Sequence, residues 1–293
     1  MKNSESKPVS QARRNILGLM LLPVVLNGCV TTPTPQRKRI LLTKGNVNID
    51  VIIDGAGPSI VLLPSSQRDS EDFDELASMI AAQGFQVLRP QPRGMGKSSP
   101  PPDDMTLYTL ADDVAFTIEK LSNGKAIVVG HAYGHWVARV TDMKYPNLVR
   151  GVVVLGASAK VFPPGMAEAL AIASDTSQPE ASRIAALNKV MFAPGNDSSV
   201  WLTGWHPKLR AAYRKAGATP PKDVWFNVSN APILDLQGEK DPWRPPSTRY
   251  ELKDVLGNKV TVQVISNSSH AMIPEQPTAV VNAIVGWEKT LPR

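Results

Sequence analysis

The chain has 293 residues, 42% of them hydrophobic and 20% charged, enough to bury a core as one domain with an insertion or as two small domains. The formal charge is +6, but Lys2, Lys7, Arg13 and Arg14 against Glu5 place +3 of it in the first 29 residues. The remainder is close to balanced and has no basic run with interleaved aromatics, so no nucleic-acid partner is expected. Cys29 is the single cysteine, which rules out an intrachain disulfide. His131, His135, His206 and His270 form no HExxH pair, so no metal site is expected.

Residues 1–29 read as an export signal: a basic flank, then the apolar run Ile16 to Leu26, too short to span a bilayer as a helix. Arg13-Arg14-Asn15-Ile16-Leu17 resembles a twin-arginine signal. Leu26-Asn27-Gly28-Cys29 resembles a bacterial lipobox, with Asn27 where a smaller residue is usual. The expectation is a lipoprotein held by an acylated Cys29, on the periplasmic face of a bacterial membrane. Residues 30–38 would be its polar tether. An uncleaved or plain signal with an accidental cysteine is the alternative.

Beyond the tether, two early strands are expected, Arg39 to Thr43 and Val47 to Asp54, bounded by Gly- and Pro-containing turns. Ser59 to Pro64 encloses a continuous apolar run, the pattern of a strand buried on both faces. Ser70 to Gln83 reads as a helix capped by Ser70, with Phe73, Leu76, Met79 and Ile80 at helical spacing. Alternation continues with a strand at Phe85 to Arg89, a helix at Leu107 to Leu121, a strand at Ala126 to Gly130, a helix at Gly134 to Lys144 and a strand at Gly151 to Gly156. From about residue 160 to 230 there are only helix-like stretches: Met166 to Ser174, Pro179 to Phe192 and Pro207 to Ala216. Alternation resumes with Pro232 to Gln237, Ser247 to Leu256, Lys259 to Ile265 and Pro277 to Leu291. The fold class is therefore α/β: a mostly parallel sheet covered by helices on both faces, with a core at 39–158 and 231–293 and a helical cap insertion at 159–230.

Four motifs in chain order resemble the α/β-hydrolase superfamily, over essentially the whole chain after residue 38. Gly130-His131-Ala132-Tyr133-Gly134, between a buried strand and a helix, resembles the nucleophile elbow, where small residues permit a sharp turn. Arg93-Gly94-Met95-Gly96-Lys97-Ser98 looks like the family's RGxGxS loop, and Gly238-Glu239-Lys240-Asp241 like the strand end that presents the acid. Ser269-His270-Ala271 and Pro274-Glu275-Gln276-Pro277 look like the histidine loop. Elbow, acid, histidine is this family's order. Two departures stand out. Ala132 occupies the nucleophile position, as in a bacterial subgroup with an alanine elbow, and Pro64-Ser65-Ser66 stands where the family usually has His-Gly.

An alanine methyl cannot attack a carbonyl, so no covalent acyl-enzyme forms at position 132. The resemblance implies that Asp241 and His270 can still form a dyad, with His270 as general base toward water or a substrate proton. Backbone N–H groups of Tyr133 and of Ser65 or Ser66 can polarise an oxygen. Ser65 and Ser66 also offer hydroxyls, as does Tyr133, while His131 and His135 read first as packing residues. Trp201, Trp205, Trp225 and Trp243 are candidates for pocket walls or core. No cofactor is expected, because neither GxGxxG nor a P-loop is present. The reading is a hydrolase-like enzyme acting on a small apolar substrate through His270 and Asp241. The alternative is a non-catalytic, ligand-binding pseudo-hydrolase at the membrane surface. A replaced serine at position 132 is a third reading, against which the intact export segment argues.

Overall fold

The computed structural model describes residues 37–292, so the export signal, Cys29 and most of the tether lie outside the described residues. Eight strands form one sheet: β1 (Lys38–Lys44), β2 (Val47–Gly55), β3 (Ser59–Leu63), β4 (Gln86–Pro90), β5 (Ala126–His131), β6 (Val149–Leu155), β7 (Ile233–Gly238) and β8 (Val260–Ile265), in the order β1-β2-β4-β3-β5-β6-β7-β8. From β4 to β8 every pairing is parallel. The β1–β2 hairpin is antiparallel, and β2 also runs antiparallel to β4, with Val51 opposite Pro90.

The helices are α1 (Asp74–Ala82), α2 (Leu107–Leu121), α3 (Tyr133–Lys144), α4 (Met166–Ser174), α5 (Glu180–Val190), α6 (Arg210–Ala216), α7 (Lys222–Phe226), α8 (Glu251–Leu256), α9 (Met272–Glu275) and α10 (Pro277–Glu288). Side chains alternate across a strand, so the continuous apolar run of β3 feeds two cores. Val61 and Leu63 pack with α2 and α3, while Ile60 and Leu62 pack with α1 and α10. This is the α/β-hydrolase architecture, a mostly parallel sheet with helices on both faces.

Local sequence explains the element ends. Helix α2 starts at a capping box: Thr109 N–H donates to Thr106 Oγ1 at 3.3 Å, and Thr106 N–H donates to Thr109 Oγ1 at 3.2 Å. The expected Ser70 cap is corrected. A 3₁₀ turn precedes α1, and Asp69 caps it by accepting from Glu71 N–H at 3.1 Å. Ser70 is instead fully buried, its hydroxyl donating to the Pro90 carbonyl at 2.7 Å.

Between β6 and β7 the chain forms α4 to α7 and joins no sheet, apart from one isolated bridge, Arg68 to Trp205. The residues around α4 and α5 build their own apolar cluster, in which Trp201, Trp205 and Trp243 are buried. Helix α7 was not expected: Pro220, Pro221 and Asn227 bracket a segment too short to show a helical period. Among the described residues no helix is long and apolar enough to cross a membrane.

Candidate active site

The chain leaves β3 toward β4 on one side, then returns to place β5 on the other side of β3. Loops after β3 and β5 thus diverge, opening a crevice at the carboxyl ends of the strands, where ligands bind in open α/β sheets. Four loops meet there: residues 64–69 after β3, the turn at Ala132 after β5, Asp241 after β7 and His270 after β8.

Ala132 has φ 47° and ψ −116°, a conformation that L-residues rarely adopt. Two glycines make the turn possible. A Cβ on Gly130 would lie 2.3 Å from the Gly134 carbonyl, and one on Gly134 would lie 2.3 Å from the Leu63 carbonyl oxygen. The turn is anchored by Ala132 N–H donating to Leu155 O at 3.0 Å and by His135 Nδ1–H donating to Ala132 O at 2.5 Å. The strained geometry that would present a nucleophile is therefore complete, with a methyl group at its tip.

His270 and Asp241, both 4% exposed, are joined by a 3.0 Å bond from His270 Nδ1–H to Asp241 Oδ2. The other carboxylate oxygen accepts from Trp243 N–H at 2.8 Å, which fixes the acid from its far side. With Nδ1 occupied, the basic lone pair of a neutral His270 sits on Nε2. Nε2 has no hydrogen-bond partner among the described residues and is not sealed in the core. The Trp243 ring stacks obliquely on His270, with centroids 5.4 Å apart.

The loop that carries His270 is tied to the helical insertion. Glu275 accepts from Ser269 N–H on one oxygen and from Ala193 N–H on the other, each at 2.6 Å. Ala271 N–H donates to Met191 O at 2.8 Å, and Trp243 Nε1–H to Val190 O at 2.7 Å. Burial pushes the Glu275 carboxyl up, while the backbone donors pull against that shift.

A cavity of about 370 Å³ lies over the elbow. Ala132, His270, Ser65, Ser66 and Gln67 line one part of it, and Trp136, Phe162, Leu170, Met191 and Trp243 form an apolar wall. Of the four tryptophans singled out in the sequence, only Trp243 faces this space. The Arg68 guanidinium lies 4.8 and 4.7 Å from the ring centres of Trp201 and Trp205, which meet each other edge to face, and Trp225 packs edge-on against His135. The Tyr133 hydroxyl does not serve the cavity, since it donates to the Tyr213 carbonyl at 3.0 Å. The Tyr133 backbone N–H, in the first turn of α3, has no intrahelical acceptor.

His131 and His135 are structural. Burial, then the neighbouring His270, hold the His131 imidazole down to about 3, so its neutral Nε2–H donates to His270 O at 2.8 Å. Burial likewise holds His135 well below the usual imidazole range. Sequence reasoning placed Glu275 in the histidine loop without a role for it, and missed Gln67, Trp136, Arg210 and Arg214. The last two show a faint signal, two cations four apart on an expected helix, but spacing alone does not reveal which way a helix faces.

A sequence profile described as alpha/beta hydrolase fold matches residues 58–277, and the chain belongs to that family. Among curated proteins, the chain is 32% identical over 111 residues to the 2-(acetamidomethylene)succinate hydrolase of Mesorhizobium japonicum, covering 38% of this chain and 40% of that enzyme. It is 31% identical over 121 residues to the zearalenone hydrolase of Cladophialophora bantiana, covering 40% of this chain and 46% of that one. The chain thus spans less than half the length of these two relatives. Among solved structures, an E-2-(acetamidomethylene)succinate hydrolase superposes with a TM-score of 0.71 at 19% identity, covering 87% of this chain and 100% of that one, a likeness of fold.

Proposed function

We propose that the chain is a hydrolase-like enzyme of the alanine-elbow kind, in which Asp241 orients neutral His270 as a general base without a serine nucleophile. The observation that carries this reading is the 3.0 Å bond between two buried side chains beside an open cavity over Ala132. Asp241 selects the tautomer that leaves Nε2 unprotonated, and Nε2 takes a proton from water or from the substrate. The substrate is small and largely apolar, in keeping with the tryptophan, phenylalanine and leucine wall. The Tyr133 N–H, the N-terminus of α3 and the Ser65–Ser66 loop supply dipoles for an oxygen that gains charge. Matched relatives are named as hydrolases, which supports hydrolysis over other proton-transfer chemistry. Acylation of Cys29 would hold the enzyme at the periplasmic face of a bacterial membrane, with the small molecule as its partner in solution.

The test is hydrolysis of a chromogenic ester panel by the mature protein beside His270→Ala, with both proteins checked for an unchanged thermal melt. Turnover by the parent and not by the variant is expected. Turnover retained in the variant would sink the dyad.

Ala132 itself favours a second reading, a pseudo-hydrolase that holds a ligand without converting it. In that case neither protein turns over any ester, and His270→Ala leaves ligand affinity intact.

A further inference from the structure

Two cations in the cavity wall have no role in the dyad. Arg210 and Arg214 sit one turn apart on the same face of α6 and are exposed at the cavity's rim. Neither donates a hydrogen bond or meets a carboxylate within 4.0 Å among the described residues, whereas Arg68, Arg89, Arg93 and Arg244 each sit on an aspartate. Arg210 also borders a shallow groove with Asp175, but the Asp175 oxygens accept from Ser177 and Gln178. The cavity lining contains no Asp or Glu. The charged side chains that line it, Arg210 and Arg214, are both cations.

A second observation comes from inside the cavity. Gln67 is 3% exposed, and its side-chain Oε1 is sealed from solvent with no partner. Its Nε2 makes no hydrogen bond among the described residues and, unlike Oε1, is not sealed, so its N–H groups are free to donate to a molecule in the cavity. The backbone holds it there at φ 64°, with His206 N–H donating to Gln67 O at 2.9 Å. An amide this deeply buried without partners is costly, and a ligand oxygen that accepts from the Gln67 Nε2–H offsets part of that cost.

We propose that the cavity takes an amphipathic carboxylate. Its anionic head pairs with Arg210 and Arg214 at the rim, its apolar body lies on Trp136, Phe162, Leu170, Met191 and Trp243, and a carbonyl oxygen further along the body accepts from the Gln67 Nε2–H. Guanidinium groups suit a carboxylate because they donate through parallel N–H groups. The proposal deepens the function above by naming the ligand class of the same cavity, and it rests on that reading only for the claim that the bound molecule reacts.

The test uses monomethyl suberate, a carboxylate at one end and an ester at the other, against neutral dimethyl suberate. Calorimetric titration of the full protein is expected to show roughly tenfold tighter binding of the half-ester, the scale of two rim ion pairs, weakening with added salt. Arg210→Gln combined with Arg214→Gln abolishes that preference and leaves dimethyl suberate affinity unchanged. Gln67→Met weakens both probes severalfold. Equal affinity of the parent for both probes, or a preference that survives the double substitution, overturns the proposal. The two readings fail separately. A charge preference without ester turnover sinks the dyad alone, and turnover without charge preference sinks the carboxylate site alone.

Discussion

Ala132→Ser asks whether one oxygen is all that separates this cavity from a serine hydrolase. The elbow already holds a non-glycine residue at φ 47°, so the Cβ is in place and serine adds an oxygen with no new backbone strain. His270 and Asp241 are already bonded at 3.0 Å, as a serine hydrolase would need. A nucleophile acting together with its base is worth about 10⁶ in kcat. The oxyanion side is weaker than usual, because the Ser65–Ser66 loop has no glycine to let its backbone donor approach as closely, and one close donor is worth about 10²–10³. The expected gain is therefore about 10³–10⁴ in ester turnover, or roughly 4–5.5 kcal/mol of barrier. The assay is hydrolysis of p-nitrophenyl butyrate together with labelling by a fluorophosphonate, read by mass spectrometry at position 132. A folded variant that stays unlabelled and turns over no faster than the parent would refute the reasoning, since it would put His270 Nε2 out of reach of a serine hydroxyl.

Three further outcomes are expected. The His131 imidazole is held neutral, from an ordinary 6.5 down to about 3, so the unfolded chain takes up its proton first as pH falls. Stability is therefore fully present above about pH 6.5 and is lost as pH drops toward 3, by about 4–5 kcal/mol for this residue, and His131→Gln flattens urea-denaturation stability across that window. Gly134→Ala drives a methyl to 2.3 Å from the Leu63 carbonyl oxygen, and loss of at least about 3 kcal/mol is expected in thermal melts, with failure to express soluble protein at the extreme. Glu275→Gln turns one of two acceptor oxygens toward a backbone N–H as a donor, which should cost about 1–3 kcal/mol in urea denaturation and lower any His270-dependent turnover.

The sheet was legible because parallel strands buried on both faces read as unbroken apolar runs, as in Ser59–Leu63 and Ala126–His131. What those runs do not encode is direction, so the antiparallel pairing of β2 with β4 came only from the structure. The elbow was legible from Gly130 and Gly134, since close backbone approach leaves no alternative residue. Asp241 and His270 were legible through the family's order, not through any local pattern, because the two lie 29 positions apart. The rest of the cavity was opaque for a physical reason. Whether Trp243 or Trp201 faces the open space depends on how the insertion folds back over the sheet, and no spacing rule carries that. Gln67 gave no signal at all, since its positive φ is a residue type's exception and its partnerless amide is a property of the assembled loops.

The bonds between the histidine loop and the insertion bear on how this scaffold can be re-engineered. Glu275, Ala271 and Trp243 each fasten the segments that carry His270 and Asp241 to residues 190–193 at the end of α5. In a scaffold where specificity and chemistry sit on separate pieces, one piece is exchanged and the other keeps its place. Here a graft that replaced the insertion would unfasten the imidazole along with the old pocket. New substrate preferences are better sought by point changes on the inner faces of α4 and α6 than by transplanting a lid.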